Sequence, residues 1–211
     1  MELKGLTINF LGDSITEGVG TSGPDAVYHQ RIKEKYGLKF ACNYGVSGTR
    51  IARQTLPTLD NTKFDLTFEL RAETMNRNAD AVVVFGGTND YGHGDAHFGT
   101  PDSDDIYTFC GGLNSLIRKL KSDFPKARIV FLTPLHRATE DAPSKPDGKT
   151  LVDYVNAMVE ICRTHDISVI DLFRLDPLDR RDPELIPDGL HPSDKGHAIM
   201  ADVIAQELGK L

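Results

Sequence analysis

Tryptophan is absent from this chain, and cysteine occurs only as Cys42, Cys110 and Cys162. Three widely separated thiols without a C-x-x-C spacing argue against a disulfide framework or a zinc knot, and leave the cysteines as small apolar side chains for a core. Without an indole, a flavin ring would have only tyrosines to stack against. No apolar run approaches the ~20 residues needed to cross a bilayer. The apolar part of the opening segment M-E-L-K-G-L-T-I-N-F-L-G is too short for a signal peptide. The chain is therefore expected to be cytoplasmic and without membrane insertion. Positive charge is also in the minority: 24 Lys and Arg against 31 Asp and Glu give a formal net charge of −7. The basic residues are scattered, whereas phosphate neutralisation needs them clustered, so no nucleic-acid partner is expected. The runs R-I-K-E-K and R-K-L-K read as solvated helix faces.

Internal repeats, low-complexity tracts and N-glycosylation acceptors are missing as well, and no composition shift marks a domain boundary. A single core serves a chain of this length, so residues 1–211 are read as one domain, with no pattern that sets an oligomeric state. What is present is alternation. Five short β-branched or apolar runs, at 6–11, 39–43, 81–85, 128–132 and 168–171, are spaced widely enough for a helix between each pair. That pattern predicts an α/β fold, a parallel sheet with crossover helices. The unbroken run A-V-V-V-F fits a central strand covered on both faces. Ile106, Phe109, Cys110, Leu113, Leu116, Ile117 and Leu120 recur at helical spacing, with Asp104 and Asp105 before them and Lys119 and Lys121 toward the end. They predict an amphipathic helix with dipole-matched ends. Leu151, Tyr154, Val155, Met158, Val159 and Cys162 mark a second helix, and Ala198, Ala201, Ile204 and Leu208 a last one that begins near Ser193. Phe64, Phe68, Ala72 and Met75 form a fainter stripe.

Four short segments carry chemistry: G-D-S-I-T at 12–16, N-Y-G-V-S-G at 43–48, G-G-T-N-D at 86–90 and D-G-L-H-P at 188–192. Each follows a strand's carboxyl end or lies in the final loop, the edge where ligands bind in open parallel sheets. Ester cleavage through a serine needs a hydroxyl, an imidazole base, a carboxylate to orient it and donors for the oxyanion. Ser14, His191 and Asp188 can supply the first three in that order. Asp188 and His191 sit three apart, so one turn can aim both at a point. Asn89 can donate its amide, and a glycine of the second segment, Gly45 or Gly48, its backbone N–H; the N–H of Ser14 is the third donor. Each has a plainer reading: Ser14 as a helix cap, Asn89 as a turn residue, the glycine as a turn needing positive φ. Asp13 is read as structural. Ser47 is a rival nucleophile, but the neighbouring sequence offers it no base.

Other patterns fail for lack of context. G-V-G-T-S-G at 18–23 fits a dinucleotide fingerprint but lies past the strand and runs into Pro24. No phosphate-binding P-loop and no G-x-S-x-G elbow is present. His93, His97 and His136 fall in two long polar connections, 91–103 and 133–149, expected to flank the serine. With no carboxylate–histidine spacing on one element they read as substrate-contact or loop residues, so no metal and no cofactor is expected.

The order and company of the four segments resemble the SGNH hydrolases, the GDSL-type esterase and lipase family, from Thr7 to about residue 200. The resemblance implies a flavodoxin-like three-layer α/β/α sandwich around a five-stranded parallel sheet. It favours Gly48 over Gly45 as the oxyanion donor. It also implies a carboxylic ester hydrolase acting through an acyl-serine on a small-molecule ester. The first choice is short-chain acyl esters, such as acetyl esters of carbohydrates or aryl and alkyl esters. Lysophospholipase or acyl thioesterase activity is the alternative. A catalytically silent binding module on the same frame, or a flavin-binding protein, belongs to a different class; a complete Ser14, Asp188 and His191 set argues against the silent module, and a yellow chromophore would identify the flavoprotein.

Overall fold

The short apolar runs fold as strands separated by helices in the computed structural model, which describes residues 1–211. The first half of the chain forms β1 (Thr7–Gly12), α1 (Ser14–Glu17), α2 (Tyr28–Tyr36), β2 (Phe40–Gly45), α3 (Phe68–Ala72), β3 (Ala81–Phe85) and α4 (Thr88–Gly92). The second half forms α5 (Phe109–Asp123), β4 (Arg128–Leu132), α6 (Leu151–Thr164), β5 (Ser168–Ile170), α7 (Leu172–Leu175) and α8 (Asp194–Lys210). All strands pair in parallel, in the order β2-β1-β3-β4-β5. This is the doubly wound, three-layer arrangement the sequence predicts, and its order reverses between β1 and β3.

Strand alternation sorts the core into two layers. Ile8, Phe10, Ala81, Val83, Phe85, Val130 and Leu132 point to one face and pack with Tyr28 and Ile32 of α2 and Ile204 and Leu208 of α8. Leu11, Val82, Val84, Ile129 and Phe131 point to the other and meet Phe68 of α3, Leu113 and Leu116 of α5 and Tyr154 and Met158 of α6. With a strand side-chain period of two, both faces of β3 and β4 are apolar, whereas β1 is apolar on the Ile8 and Phe10 face and carries buried Thr7 and Asn9 beside Leu11 on the other. Burial of each Val, Leu, Ile, Phe or Met side chain among them contributes about 1.5–3 kcal/mol. No helix is long and apolar enough to cross a membrane.

Two helices depart from the expected pattern. The faint stripe through Phe64 and Met75 is helical only over α3, and Phe64 instead stands on a 3-10 turn at Thr62–Asp65. Local hydrogen bonding prevents a longer helix: Asn61 accepts from the Lys63 N–H at 3.3 Å, and Asp65 is held by Thr58 and Arg50. The long amphipathic helix starts at Phe109, because Thr108 caps it by accepting the Gly111 N–H at 3.1 Å. Asp104 and Asp105 therefore precede its first turn, and Asp104 pairs with Arg118 at 2.8 Å.

Candidate active site

Ser14 is presented by a tight passage from strand to helix. A Cβ on Gly12 would fall 2.0 Å from Thr16 Oγ1, so only glycine lets β1 end directly under α1. The Asp13 side chain caps α1 by accepting the Ile15 N–H at 3.1 Å. The capping role open to Ser14 is thus taken by Asp13, and Ser14 is the first helical residue, its own N–H without a hydrogen-bond acceptor in the protein. Burial raises the Asp13 pKa to about 6, against the backbone hydrogen bond and the charge of Arg71.

The turn 188–191 brings its two side chains to this point. Ser14 Oγ lies 2.9 Å from His191 Nε2, and His191 Nδ1 lies 2.6 Å from Asp188 Oδ2. Asp188 Oδ1 accepts the N–H groups of Leu190 at 2.9 Å and His191 at 2.7 Å. Partial burial works against the Asp188 charge, but the hydrogen bonds from His191 and Leu190 outweigh it and hold the carboxyl below its ordinary range. An Nδ1–H donated to this carboxylate leaves Nε2 as acceptor for the serine hydroxyl. Gly20 of G-V-G-T-S-G has a packing role: a Cβ there, at φ +92, would meet Pro192 O at 2.6 Å and His191 Cβ at 3.2 Å. Ser22 then donates its N–H and hydroxyl to Asp194 at 2.8 and 2.5 Å. The segment after α1 is thereby clamped to the start of α8, next to His191.

Candidate oxyanion donors come from two other loops. Gly48 has φ +74, and a Cβ there would sit 2.0 Å from the Phe64 ring, so both backbone and space require glycine. Its N–H has no acceptor within the protein, whereas the Gly45 N–H is taken by Asn43 Oδ1 at 2.8 Å. Asn89 lies inside α4, four residues beyond Phe85, the last residue of β3. Its Nδ2 donates to Thr49 O at 3.0 Å, which fixes the amide and leaves its second hydrogen for a ligand. Asp90, buried beside it, accepts the N–H groups of Ile51 and Ala52 at 2.9–3.1 Å. Burial raises its pKa to about 6.

Arg71 is the part of this framework with no sequence signal. Its buried guanidinium donates to Gly12 O at 2.9 Å, Leu66 O at 3.0 Å, Thr49 Oγ1 at 2.8 Å and Tyr44 O. One side chain thus ties the ends of β1 and β2 to the Gly48 loop. The expectation that nothing near Ser47 could act as a base is corrected: Glu17, one turn after Ser14, accepts the Ser47 N–H at 2.8 Å and its hydroxyl. The distance in sequence, 30 residues, hid that carboxylate.

The three loop histidines take separate partners. His93 stands 3.2 Å from Arg50 and packs on Phe64, His97 pairs with Asp147 at 2.8 Å, and His136 with Glu140 at 2.9 Å. No group of three or more His, Cys, Asp or Glu is placed to hold a metal ion. Cys110 and Cys162 are buried, which pushes their thiols up to about 12.

The model of the GDSL-like lipase/acylhydrolase family matches residues 10–199. One solved structure superposes with a TM-score of 0.86 at 31% identity, covering 100% of this chain and 99% of the other. An acetyl xylan esterase aligns with a TM-score of 0.67 at 22% identity, over 96% and 100% of the two chains. An acetyl-xylooligosaccharide esterase from Geobacillus Stearmophilus aligns with a TM-score of 0.65 at 21% identity, over 99% and 97%. At such identity these last two share the fold. No curated protein matches.

Proposed function

Because this chain belongs to the GDSL-like lipase/acylhydrolase family, an ester hydrolase family, we propose that it cleaves short-chain carboxylic esters through an acyl intermediate on Ser14. The observation that carries this reading is the continuous hydrogen-bonded line from Ser14 Oγ through His191 to Asp188, at 2.9 and 2.6 Å. In the first half-reaction the Ser14 oxygen attacks the carbonyl carbon while His191 Nε2 takes its proton. Asp188 orients the ring and stabilises the imidazolium. The oxyanion is received by the N–H groups of Ser14 and Gly48 and by the free amide hydrogen of Asn89. These donors are already fixed by Arg71, Thr49 and the α1 turn, so little reorganisation is needed as charge develops. The His191 Nε2–H then protonates the departing alkoxide oxygen. In the second half-reaction water attacks the acyl carbonyl, gives its proton to His191 and releases Ser14 and the acid.

Short acyl groups are favoured by the space available. The apolar hollow formed by Ile15, Phe85, Pro134, Leu135 and Leu190 beside Asp13 amounts to about 10 Å³ and is lined by none of Ser14, Gly48, Asn89 or His191, so it adds no channel to the site that an alkyl chain could fill. An acetyl group makes no such demand. Two acetyl esterases of xylan and xylo-oligosaccharides share the fold, which makes acetylated carbohydrates a natural class to assay. Lysophospholipids and long acyl thioesters need an apolar channel that this hollow does not provide. The test is kcat/KM on p-nitrophenyl acetate, butyrate, octanoate and palmitate, with acetylated xylose alongside and Ser14→Ala as the blank. The expected result is a steep fall beyond the butyrate. Faster turnover of octanoate than acetate would refute the short-chain assignment, and unchanged turnover by the Ser14→Ala blank would refute the nucleophile.

A further inference from the structure

A cleft of about 390 Å³ opens between the end of α4 and the 137–145 loop. It adjoins the proposed site on both sides. Tyr91 in its wall follows Asn89 by two residues, and Arg137 precedes Ala138, whose N–H donates at 2.8 Å to Gly189 O in the turn that carries His191. Two cations line it, Arg137 and Lys145. The carboxylates of the same loop are already matched elsewhere: Glu140 by Arg180 and His136, and Asp141 by Arg180 at 3.8 Å. Arg137 and Lys145 are left without an ion-pair partner in a chain whose net charge is −7.

Arg137 is held in place. Its Nη1 donates to Thr88 O and Thr88 Oγ1, each at 3.1 Å, and its guanidinium lies 5.4 Å over the Tyr91 ring. Nη2 finds no acceptor in the protein, and Nε is sealed from solvent without a partner. A guanidinium anchored through Nη1 and left with Nη2 free is a preorganised, charged donor for one oxygen of an anion. Arg50, itself paired with Asp65 at 2.9 Å, reaches His93, a further residue of the cleft, at 3.2 Å. Partial burial, then the charges of Arg50 and Arg137, lower the His93 pKa to about 4, so this imidazole stays neutral and accepts from Arg50 at ordinary pH.

We propose that this cleft is a substrate subsite for a carboxylate, bound by Arg137 with Lys145 as the second counter-charge. It rests on the ester-hydrolase reading and names what part of an ester the enzyme selects. The carboxylate can belong to the alcohol side or to the acyl side of the ester, and two probes separate these sources: 4-acetoxybenzoate and monophenyl succinate, each compared with phenyl acetate. The measured quantity is the ratio of kcat/KM for the charged ester to that for phenyl acetate. In the wild type one ratio is expected to exceed about ten, as a single charge-assisted hydrogen bond supports, with the gain in KM. Arg137→Gln is expected to bring that ratio close to one, and Lys145→Gln to lower it several-fold. Damage transmitted through Thr88 would slow both esters together and leave the ratio standing. A ratio that survives Arg137→Gln overturns the proposal, and so does a wild type with no preference for either charged ester. If the wild type turns over no ester, it is the ester reading that fails, and calorimetric titration with 4-acetoxybenzoate then decides the subsite. Binding that Arg137→Gln abolishes supports it; absence of binding overturns it.

Discussion

Replacing Asn89 with alanine removes two interactions of different kinds, and the structure separates their effects. One amide hydrogen is donated to Thr49 O at 3.0 Å, a contact present with or without substrate. Its loss leaves a buried carbonyl unpaired and costs about 1–3 kcal/mol of stability. For a chain of this size that corresponds to a fall of roughly 2–12 °C in Tm. The second hydrogen is proposed to meet the oxyanion, which exists only along the reaction path. Removing such a donor costs about 2.7–4 kcal/mol, or 10²–10³ in kcat, with far less change in KM because the ground-state carbonyl gains little from it. Steady-state kinetics on p-nitrophenyl acetate at 25 °C, paired with calorimetric melting, measures both. Asn89→Asp is a useful companion, since it keeps the size of the side chain but presents a carboxylate to the oxyanion, and its kcat should fall at least as far. A change confined to KM, or a kcat within tenfold of wild type in a variant that melts well above the assay temperature, would refute the reasoning.

Gly48→Ala forces a Cβ into the Phe64 ring at 2.0 Å and strains a residue at φ +74, so it should lower both Tm and kcat, whereas Gly148→Ala, also at positive φ but with open space around it, should lower Tm slightly and leave kcat alone; equal kinetics for the two variants would exclude a role for the Gly48 N–H. Asp90 has a folded-state pKa raised from 3.8 to about 6 by burial, so the folded chain binds that proton more tightly than the unfolded one. Its contribution to stability is therefore largest near pH 4 and falls as pH rises toward 6. The difference in Tm between wild type and Asp90→Asn should shift against the wild type across that window, and a constant difference from pH 4 to 7 would contradict the assignment.

How much of this was legible in the sequence depended on range. The strands and the two amphipathic helices α5 and α6 were readable because apolar periodicity is a local signal, and β3 was readable to the residue as an unbroken A-V-V-V-F run. The proximity of Asp188 and His191 was readable because a three-residue turn brings them together. What escaped was joined across long stretches of chain. Arg71 gathers Gly12, Tyr44 and Thr49 from 22 to 59 residues away, and a single arginine on a short helix carries no pattern that says so. Glu17 and Ser47 meet because β1 and β2 pair in parallel, which places the loops after them side by side. Gly20 looked like half of a nucleotide fingerprint, and only the approach of Pro192 shows why a side chain is excluded there. The start of α5 was missed because Thr108, three residues into the apolar periodicity, caps the helix and ends the turn before it.

The nucleophile is the central claim, and the protein offers two hydroxyls to choose between: Ser14 on His191 and Ser47 on Glu17. Incubation with diethyl p-nitrophenyl phosphate, followed by mass spectrometry of tryptic peptides, decides directly. The account predicts one diethylphosphoryl group per chain, on Ser14, with activity lost in proportion to labelling and no label in Ser14→Ala. Label on Ser47, or full labelling of Ser14 with ester turnover retained, would contradict it.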